Sequence, residues 1–304
     1  MMKQKNKIVS VFLCFLLLGI VSTGNCAEKF SRKYPVLIST NELDQIIDDK
    51  NLVVIDCRTP ELYKAGHIKG AINLYTRDIY DKSSPIENII PPQKELVELF
   101  GANGINTSKR VVVYEKNSDA REAARMILYL ESVGHDKVQF LDGGINKWSA
   151  EKREKTSELP QIAKTKFNLN SQPQFIVSKE YVLSKLNKPN VLLMDARGEK
   201  EYTGQVAGNN VKRGGGHMPG SVHNDYKELI DAKGTFADKS TLTKMFKEAG
   251  LNDNIDEVII YCRTAVRSSQ VRMALKYIVG FENTKVYDGS MVEWSADPKC
   301  PLVK

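Results

Sequence analysis

Cysteine, histidine and tryptophan are all scarce in this chain of 304 residues, which has five, four and two of them. No histidine and cysteine stand at the spacing of a zinc site, so the sequence predicts no metal centre. If the N-terminal 27 residues are removed, three cysteines remain, namely Cys57, Cys262 and Cys300. An odd number in an oxidising compartment argues against a disulfide framework and favours at least one thiol kept for its reactivity.

Acidic residues are absent from the first 27 residues, which carry three lysines. An apolar run from Ile8 to Val21 follows the lysines, and small residues follow that run. This order is typical of a secretory signal peptide, so residues 1–27 are predicted to be one, with cleavage near Ala27. The apolar run has 14 residues, fewer than the roughly 20 that span a bilayer. We therefore expect an exported protein, periplasmic or secreted, with no stable membrane insertion after cleavage; a lipid attached to Cys26 is the alternative.

A strong excess of positive charge is also missing from the rest of the chain. The formal net charge of +7 falls to +4 without the three N-terminal lysines, and no basic stripe with interleaved aromatic residues is present. The sequence therefore gives no support to nucleic-acid binding. A composition of 41% hydrophobic and 27% charged residues is ordinary for a soluble globular protein, and the length suits two domains.

One unit of sequence occurs twice. Residues 111–128 (VVVYEKNSDAREAARMIL) align without a gap with residues 258–275 (VIIYCRTAVRSSQVRMAL). Each copy continues with an Asp-Gly and, at the same distance from it, a Trp-Ser-Ala; upstream, each has an Asp-x-Arg and a Gly-His. A period of about 140 residues indicates a duplicated domain, because solenoid repeats reach only about 50 residues.

The repeat sets the predicted organisation of the chain. We expect an N-terminal domain over residues 36–150, a polar linker over 151–175 and a C-terminal domain over 176–304. Short apolar strands alternate with helices in both copies. This alternation predicts an α/β fold in which each copy is a parallel sheet with helices on both faces. The second copy also carries an insert, residues 203–215 (TGQVAGNNVKRGG), that the pattern does not place.

Cys262 is the candidate reactive residue because of where it stands in the pattern. It follows a predicted buried strand and precedes a helix that begins near Arg267. Ligands of parallel α/β sheets bind beyond the carboxyl ends of the strands, and N–H groups at a helix start form an anion-binding nest. Arg263 and Arg267 add positive charge, so the loop should favour thiolate over thiol. The alternative is a buried structural cysteine.

The motifs around Cys262 resemble those of the rhodanese family of sulfurtransferases. CRTAVRS follows VIIY, and DAR, GGHMPGSVH, YDGS and EWS occur in the family's order. The resemblance is to the tandem type, thiosulfate or 3-mercaptopyruvate sulfurtransferase, and implies two tandem rhodanese-like domains. It implies that Cys262 is the catalytic nucleophile and that Glu115, at the matching position, makes the first copy non-catalytic. The rest of the six-residue active loop would be Arg263, Thr264, Ala265, Val266 and Arg267.

The activity that the resemblance implies is transfer of a sulfane sulfur through a persulfide on Cys262. The donor would be a small anion such as thiosulfate, the acceptor cyanide or a thiol, and no cofactor would be needed. Two alternatives stay open within the family: a low-turnover persulfide carrier that delivers sulfur to a protein acceptor, and a 3-mercaptopyruvate sulfurtransferase. A phosphatase or arsenate reductase is a further alternative, but those enzymes use Cys-x5-Arg, whereas Cys262 and Arg267 form Cys-x4-Arg.

Three residues bear on the choice of donor. Glu201 stands where several family members have an arginine that binds the carboxylate of mercaptopyruvate, which weighs against that donor. Arg213, in the insert, is a candidate substitute for that arginine. Arg197 is a second candidate substrate-binding residue, although its Asp-x-Arg motif occurs in both copies and favours an internal ion pair. Of the loop arginines, we expect Arg263 to be the more desolvated and Arg267 to point towards solvent.

The remaining histidines and cysteines have plainer interpretations. His67 and His217 occupy matching positions, and one of them lies in the copy without a thiol at the loop, so we expect both to make structural hydrogen bonds. Cys57 is expected to be inert, and Cys300 is a weak candidate to form a disulfide with an oxidised Cys262.

Overall fold

The computed structural model of the protein describes residues 32–116, 119–170 and 174–304. The predicted signal peptide, residues 1–27, and Cys26 lie outside the described residues, as do residues 171–173 of the predicted linker. Within the described ranges, no helix has both the length and the apolar character needed to cross a bilayer.

The first copy is built on a parallel sheet whose strand order is β1-β6-β5-β2-β4. Its central strands are buried, as expected for a sheet covered on both faces. The first copy has six strands, of which β3 lies outside this sheet: β1 (Leu37–Ile38), β2 (Leu52–Asp56), β3 (His67–Ile68), β4 (Ile72–Asn73), β5 (Arg110–Tyr114) and β6 (Val138–Leu141). Its helices are α1 (Thr40–Ile46), α2 (Pro60–Lys64), α3 (Gln93–Ala102), α4 (Arg121–Ser132) and α5 (Gly144–Ala150), with a 3₁₀ turn at Thr76–Asp78.

The second copy repeats this sheet with the order β8-β12-β11-β9-β10. Its strands are β8 (Ile176–Val177), β9 (Val191–Asp195), β10 (Val222–His223), β11 (Glu257–Tyr261) and β12 (Thr284–Tyr287). Its helices are α6 (Lys179–Lys185), α7 (Glu199–Tyr202), α8 (Lys239–Glu248), α9 (Val266–Met273) and α10 (Ser290–Ala296), with a 3₁₀ turn at Tyr226–Leu229 and a π-helical turn at Ala274–Val279. The predicted α/β fold with two parallel sheets is therefore confirmed. Between the copies, β7 (Lys155–Thr156) pairs antiparallel with β3.

Local sequence explains where several helices begin. Ser39 starts α1 with a capping box, in which its hydroxyl accepts the N–H of Glu42 and the Glu42 side chain accepts the N–H of Ser39. Ser178 and Asp238 cap α6 and α8 through their side-chain oxygens. Such caps satisfy N–H groups that have no partner within the helix.

The two copies meet through equivalent contacts that run in both directions. Asp142, which follows β6, accepts the N–H of Phe236 at 3.0 Å, and Asp288, which follows β12, accepts the N–H of Ile90 at 2.8 Å. Each aspartate belongs to one copy's Asp-Gly turn, and each N–H group belongs to the other copy. These hydrogen bonds place the carboxyl ends of both sheets against the partner copy.

Buried ion pairs reinforce the same interface, where α4 packs against α9. Arg125 of α4 donates to Asp288 at 2.7 Å, and Arg272, the repeat equivalent of Arg125, donates to Glu131 at 2.8 Å. All four side chains are almost wholly excluded from solvent. Removing one member would leave an uncompensated buried charge, which costs about 3–5 kcal/mol, so the interface is held firmly in register.

Candidate functional site

Cys262 directly follows β11, the middle strand of the second sheet, and lies in the core with 1% of its surface exposed. The loop turns back at Ala265, whose φ of +61° is left-handed, and α9 begins at Val266. A non-glycine residue with positive φ is uncommon and marks a tightly determined turn. The side chains of Ser268 and Ser269 both donate to the carbonyl of Ala265, at 3.0 and 2.8 Å, and thereby hold this turn.

Ser290 is a loop-positioning residue that the sequence analysis missed. Its hydroxyl accepts the N–H of Cys262 at 3.2 Å and the N–H of Ala265 at 3.1 Å, and donates to the carbonyl of Tyr287 at 2.8 Å. Its φ of +49° is also left-handed, a conformation that costs about 1–3 kcal/mol in a non-glycine residue. Two N–H groups of the loop are thus already used, so the anion-binding nest is smaller than the sequence led us to expect.

A cavity of about 540 Å³ opens above the loop and is formed by both copies. Four arginines and three glutamates give it a mixed charge. The first copy supplies Arg77, Glu87, Asn88, Arg121 and Glu122, and the second supplies Glu201, Val206, Ala207, Gly208, Asn209, Cys262, Arg263, Thr264, Val266 and Arg267. The insert that the sequence could not place therefore forms part of the wall.

Arg267 lies inside this site, and the expectation that it points towards solvent is wrong. Its guanidinium donates to both carboxylate oxygens of Glu201, at 2.5 and 3.0 Å, and its side chain is only 15% exposed. Burial by itself lowers the pKa of Arg267, but the hydrogen bonds to Glu201 and the negative charge of a Cys262 thiolate raise it above its ordinary value. Burial likewise opposes ionisation of Glu201, yet Arg267 holds the pKa of that carboxyl below its ordinary value.

Arg263 is paired with the other copy and is more exposed, at 24%. Its two terminal nitrogens donate to the two carboxylate oxygens of Glu87 at 2.8 and 2.9 Å, and one of them also donates to the carbonyl of Asn209 at 3.1 Å. The expected order of desolvation is therefore reversed: Arg267 is the more buried of the two loop arginines. The reason is that α7 brings Glu201 over the start of α9, whereas Arg263 extends towards the first copy.

Neither of the other candidate arginines lines the cavity. Arg197 is fully buried and makes paired hydrogen bonds with Asp195, the shortest 2.6 Å, and a further one with the carbonyl of Gly216. The structure thus shows the internal ion pair for Arg197. Arg213 donates to three carbonyls near the C-terminus, those of Ser295, Trp294 and Cys300. Both arginines are therefore held outside the cavity that Cys262 lines.

The family comparison agrees with the duplicated sequence. The model of the rhodanese-like domain matches residues 39–151 and again residues 178–297. The chain belongs to the rhodanese family. Both matched segments contain the strand, loop and helix units described above, so the tandem arrangement of rhodanese-like domains is confirmed.

Relatives with known names extend this assignment. A thiosulfate sulfurtransferase of Azotobacter vinelandii is 27% identical over 268 residues, covering 88% of this chain and 97% of its own. A sulfur carrier protein, TtuD of Thermus thermophilus, is 29% identical over 281 residues, with 88% and 96% coverage. The solved 3-mercaptopyruvate sulfotransferase SseA of Escherichia coli has the same fold, with a TM-score of 0.76, 24% identity and coverage of 84% of this chain and 99% of its own. The predicted enzyme class, a sulfurtransferase, is confirmed.

In the equivalent loop of the first rhodanese domain, the side chain of Glu115 binds the N–H groups at the start of the helix that follows. Glu115 follows β5 as Cys262 follows β11, and its carboxylate accepts the N–H groups of Glu122 and Ala123 at 3.0 and 3.2 Å. Burial raises the pKa of Glu115 well above its ordinary value, and the carboxylates of Asp119 and Glu122 raise it further. The first domain therefore offers neither a thiol nor a vacant helix start at this position.

The first rhodanese domain nevertheless supplies a third of the residues that line the cavity, five of fifteen, and the sequence analysis missed this contribution. Arg77 pairs with Glu122 at 2.8 Å, and Arg121 lies 3.1 Å from Asp119. One signal was available: Arg121 begins the helix that follows the central strand of the first sheet, as the helix after Cys262 follows the central strand of the second. Nothing in the repeat pattern indicated Arg77 or Glu87.

The other cysteines and histidines in the described part of the chain do not line the cavity. Cys57 and Cys300 are free and buried, and burial raises the pKa of both thiols. His67 and His217 stack on tyrosines at equivalent positions and hydrogen-bond through Nδ1 to backbone carbonyls at 2.9 and 3.0 Å. The structural interpretation of these two histidines is thus what the structure shows.

Proposed function

We propose that this chain takes the outer sulfur of thiosulfate onto Cys262 and passes it to cyanide or a thiol. The observation that carries the proposal is the position of the thiols. Of the three cysteines in the described ranges, only Cys262 lines a cavity, and that cavity contains four arginines that suit an anionic donor. A thiolate beside Arg267 is stabilised electrostatically, as nucleophilic cysteines generally are.

The first half of the reaction loads the enzyme. The Cys262 thiolate attacks the outer sulfur of thiosulfate, a new S–S bond forms, and the S–S bond of thiosulfate breaks. The bonding electron pair leaves with sulfite. The charge that remains on the outer sulfur of the persulfide lies near the start of α9, where helix N–H groups and Arg267 stabilise an anion.

The second half returns the enzyme to its starting state. Cyanide or a thiolate attacks the outer sulfur of the persulfide, the S–S bond to Cys262 breaks, and the electron pair returns to the Cys262 sulfur. The products are thiocyanate or a new persulfide. No external oxidant or reductant is consumed, because each step exchanges one bond to sulfur for another.

Thiosulfate is favoured over 3-mercaptopyruvate by the carboxylate of Glu201. Glu201 stands where mercaptopyruvate-type members of the family have the arginine that binds the donor carboxylate, so this chain lacks that contact. Arg197 and Arg213 do not line the cavity, so neither takes the place of that arginine there.

The test is mass spectrometry of the purified protein with and without donor. Thiosulfate should increase the mass of the Cys262 peptide by one sulfur atom, and cyanide should remove that atom with release of thiocyanate. Cys57 and Cys300 serve as internal controls because both are buried away from the cavity. An unmodified Cys262 in the presence of saturating thiosulfate would contradict the proposal.

A sulfur carrier is the second candidate, and the resemblance to the sulfur carrier protein of Thermus thermophilus favours it. A carrier would form the Cys262 persulfide but transfer its sulfur slowly to cyanide and rapidly to a protein acceptor. Steady-state thiosulfate–cyanide turnover separates the two, since near-zero turnover by a fully loaded protein would identify a carrier.

We also propose that the protein works outside the cytoplasm, on the strength of the signal-like residues 1–27. Fractionation of the native cells followed by N-terminal sequencing checks this proposal. A mature protein that begins near residue 28 in the periplasm or medium is expected, and an intact N-terminus in the cytoplasm would contradict it.

A further inference from the structure

The Cys262 thiol is almost inaccessible although it lines a large cavity. Residues 206–209 of the insert line the same cavity and lie against Arg263, the loop residue next to Cys262. A Cβ atom added to Gly208 would come within 3.0 Å of the Arg263 side chain and 3.1 Å of the Glu201 carboxylate. Contact this close means that the insert must move before a molecule can pass between it and Arg263.

Glu87 fastens this insert to the first domain. Its carboxylate accepts two hydrogen bonds from Arg263, at 2.8 and 2.9 Å, and a third from the side-chain amide of Asn210 at 2.8 Å. Hydrogen bonds from both partners hold the pKa of Glu87 below its ordinary value, against the opposing effect of burial. We call Glu87, Arg263 and Asn210 the clasp.

The segment that carries Glu87 is itself fixed to the interface between the domains. The carbonyl of Asn88 accepts a hydrogen bond from Arg125, and the N–H of Ile90 donates to Asp288. Residues 211–213 of the insert are anchored to the second domain, because the N–H of Lys212 donates to the Ser295 hydroxyl and Arg213 donates to three carbonyls near the C-terminus. When the clasp opens, we therefore expect residues 206–210 of the insert to move and the Glu87 segment to stay.

The clasp also stands between two cavities. Besides the cavity over Cys262, a second one of about 690 Å³ is lined by Glu87 and Asn210 on its near side and by Lys179, Lys212 and Val292 farther away. Glu87 lines both cavities. Displacement of the insert at this point would join the second cavity to the one that contains the thiol.

We propose that Glu87, supplied by the non-catalytic domain, is a positioning residue that keeps the insert closed over Cys262 until an anionic sulfur donor replaces it on Arg263. The donor thus opens its own access, because its negative charge competes with the Glu87 carboxylate for the same guanidinium. The nature of the donor rests on the function proposed above, whereas the closure of the insert by Glu87 does not.

The test compares three variants, each retaining the Cys262 thiol. Glu87→Gln removes the charge but keeps the size, Asn210→Ala breaks the other side of the clasp, and Glu98→Gln removes an exposed carboxylate of α3 that does not line the cavity. Cys262 is labelled with iodoacetamide in the absence of donor, and hydrogen exchange is followed over residues 203–215.

Glu87→Gln and Asn210→Ala should both label Cys262 about fivefold faster than the wild type and exchange faster in the insert, as expected for loss of a partly exposed ion pair or hydrogen bond. Glu98→Gln should label at the wild-type rate. Glu87→Gln should also lower the KM for thiosulfate about fivefold with little change in kcat, because Arg263 is released, whereas Asn210→Ala, which leaves the Glu87–Arg263 pair in place, should lower the KM by less than about twofold. This division between KM and labelling would not follow from a merely structural role.

Labelling of both clasp variants at the wild-type rate would overturn the proposal, and if Glu87→Gln does not fold, Asn210→Ala carries the same test. Failure of the proposed function has a different signature, namely that wild-type Cys262 gains no sulfur from thiosulfate whatever the labelling rates are.

Discussion

The two domains share one backbone arrangement but carry different residues directly after the central strand of the sheet. Beyond the central strand of the second domain stands Cys262, and beyond that of the first stands Glu115. In the second domain the loop N–H groups are organised by the hydroxyl of Ser290; in the first, Gly144 replaces that serine and the Glu115 carboxylate binds the start of α4 directly.

A tight strand–loop–helix turn therefore needs acceptors for its N–H groups but does not need a reactive group. Glu115 satisfies them with its own carboxylate, so the first domain is stable without a ligand and is available to build the wall of the shared cavity. The second domain uses Ser290 for two N–H groups and leaves the end of the loop for the thiol and its substrates. Four variants, taken in order of decreasing effect on sulfur transfer, test this comparison, and a fifth, Arg263→Ala, is matched to the second of them.

Cys262→Ser should have the largest effect and reduce sulfur transfer to background, a loss of at least about a thousandfold, as for other removed nucleophiles. A hydroxyl does not ionise at neutral pH and forms no persulfide, whereas its size suits the buried site. The measurements are thiosulfate–cyanide turnover and a circular dichroism spectrum that shows an intact fold. Substantial activity in a folded variant would mean that another residue is the nucleophile.

Arg267→Ala should come second, with the KM for thiosulfate raised about 30-fold, which corresponds to about 2 kcal/mol. The change removes the more buried loop arginine and leaves the Glu201 carboxylate unpaired near the thiol. The double variant Arg267→Ala/Glu201→Gln is the control, since it removes the unpaired carboxylate and should recover part of the loss.

Arg263→Ala is the matched comparison for that experiment and should raise the KM only about fivefold, because Arg263 is more exposed and must first leave Glu87. An equal or larger effect of Arg263→Ala would mean that Arg263 contributes more to donor binding than Arg267, as the sequence led us to expect.

Ser290→Gly should rank third, because it gives the second domain the residue that the first has at Gly144. The change relieves the left-handed strain but leaves the N–H groups of Cys262 and Ala265 without their acceptor. We expect kcat/KM to fall about tenfold while the free energy of unfolding changes by no more than about 1 kcal/mol, as the two effects oppose each other. Ser290→Ala is the control: it loses the hydroxyl and keeps the strain, so it should be about as inactive and less stable than Ser290→Gly.

The part of this architecture that could be predicted from the sequence is the part that is local in the chain. The parallel sheets follow from apolar strands alternating with helices, and the loop follows from Cys262 standing between a buried strand and a helix. The environment of the loop arginines could not be predicted, because Arg263 meets Glu87 across 176 positions of sequence and Arg267 meets Glu201 across 66. Contacts over such distances depend on the insert and on how the domains pack, and neither leaves a periodic signal.

Glu115→Gln should have the smallest effect on sulfur transfer, less than about twofold, because Glu115 does not line the cavity. Its effect should appear in the pH dependence of stability instead. The folded pKa of Glu115 is raised, so folding favours the protonated form, and the stability this provides is complete below the unfolded pKa of about 4.5 and is lost as the pH rises through the folded pKa. Above pH 4.5 the wild type should therefore lose up to about 1.4 kcal/mol per pH unit that the variant keeps.

Urea unfolding of the wild type and Glu115→Gln at pH 4, 6 and 8 measures this difference, with turnover measured at pH 8 on the same samples. The amide oxygen can still accept the N–H groups of Glu122 and Ala123, so the start of α4 keeps its acceptor while the titrating group is lost. Parallel stability curves for the two proteins would show that Glu115 is ionised at little cost, and a large fall in turnover would show that the first domain takes part in the chemistry. In either case Glu115, after β5, would resemble Cys262, after β11, more closely in its charge or its role than the structure indicates.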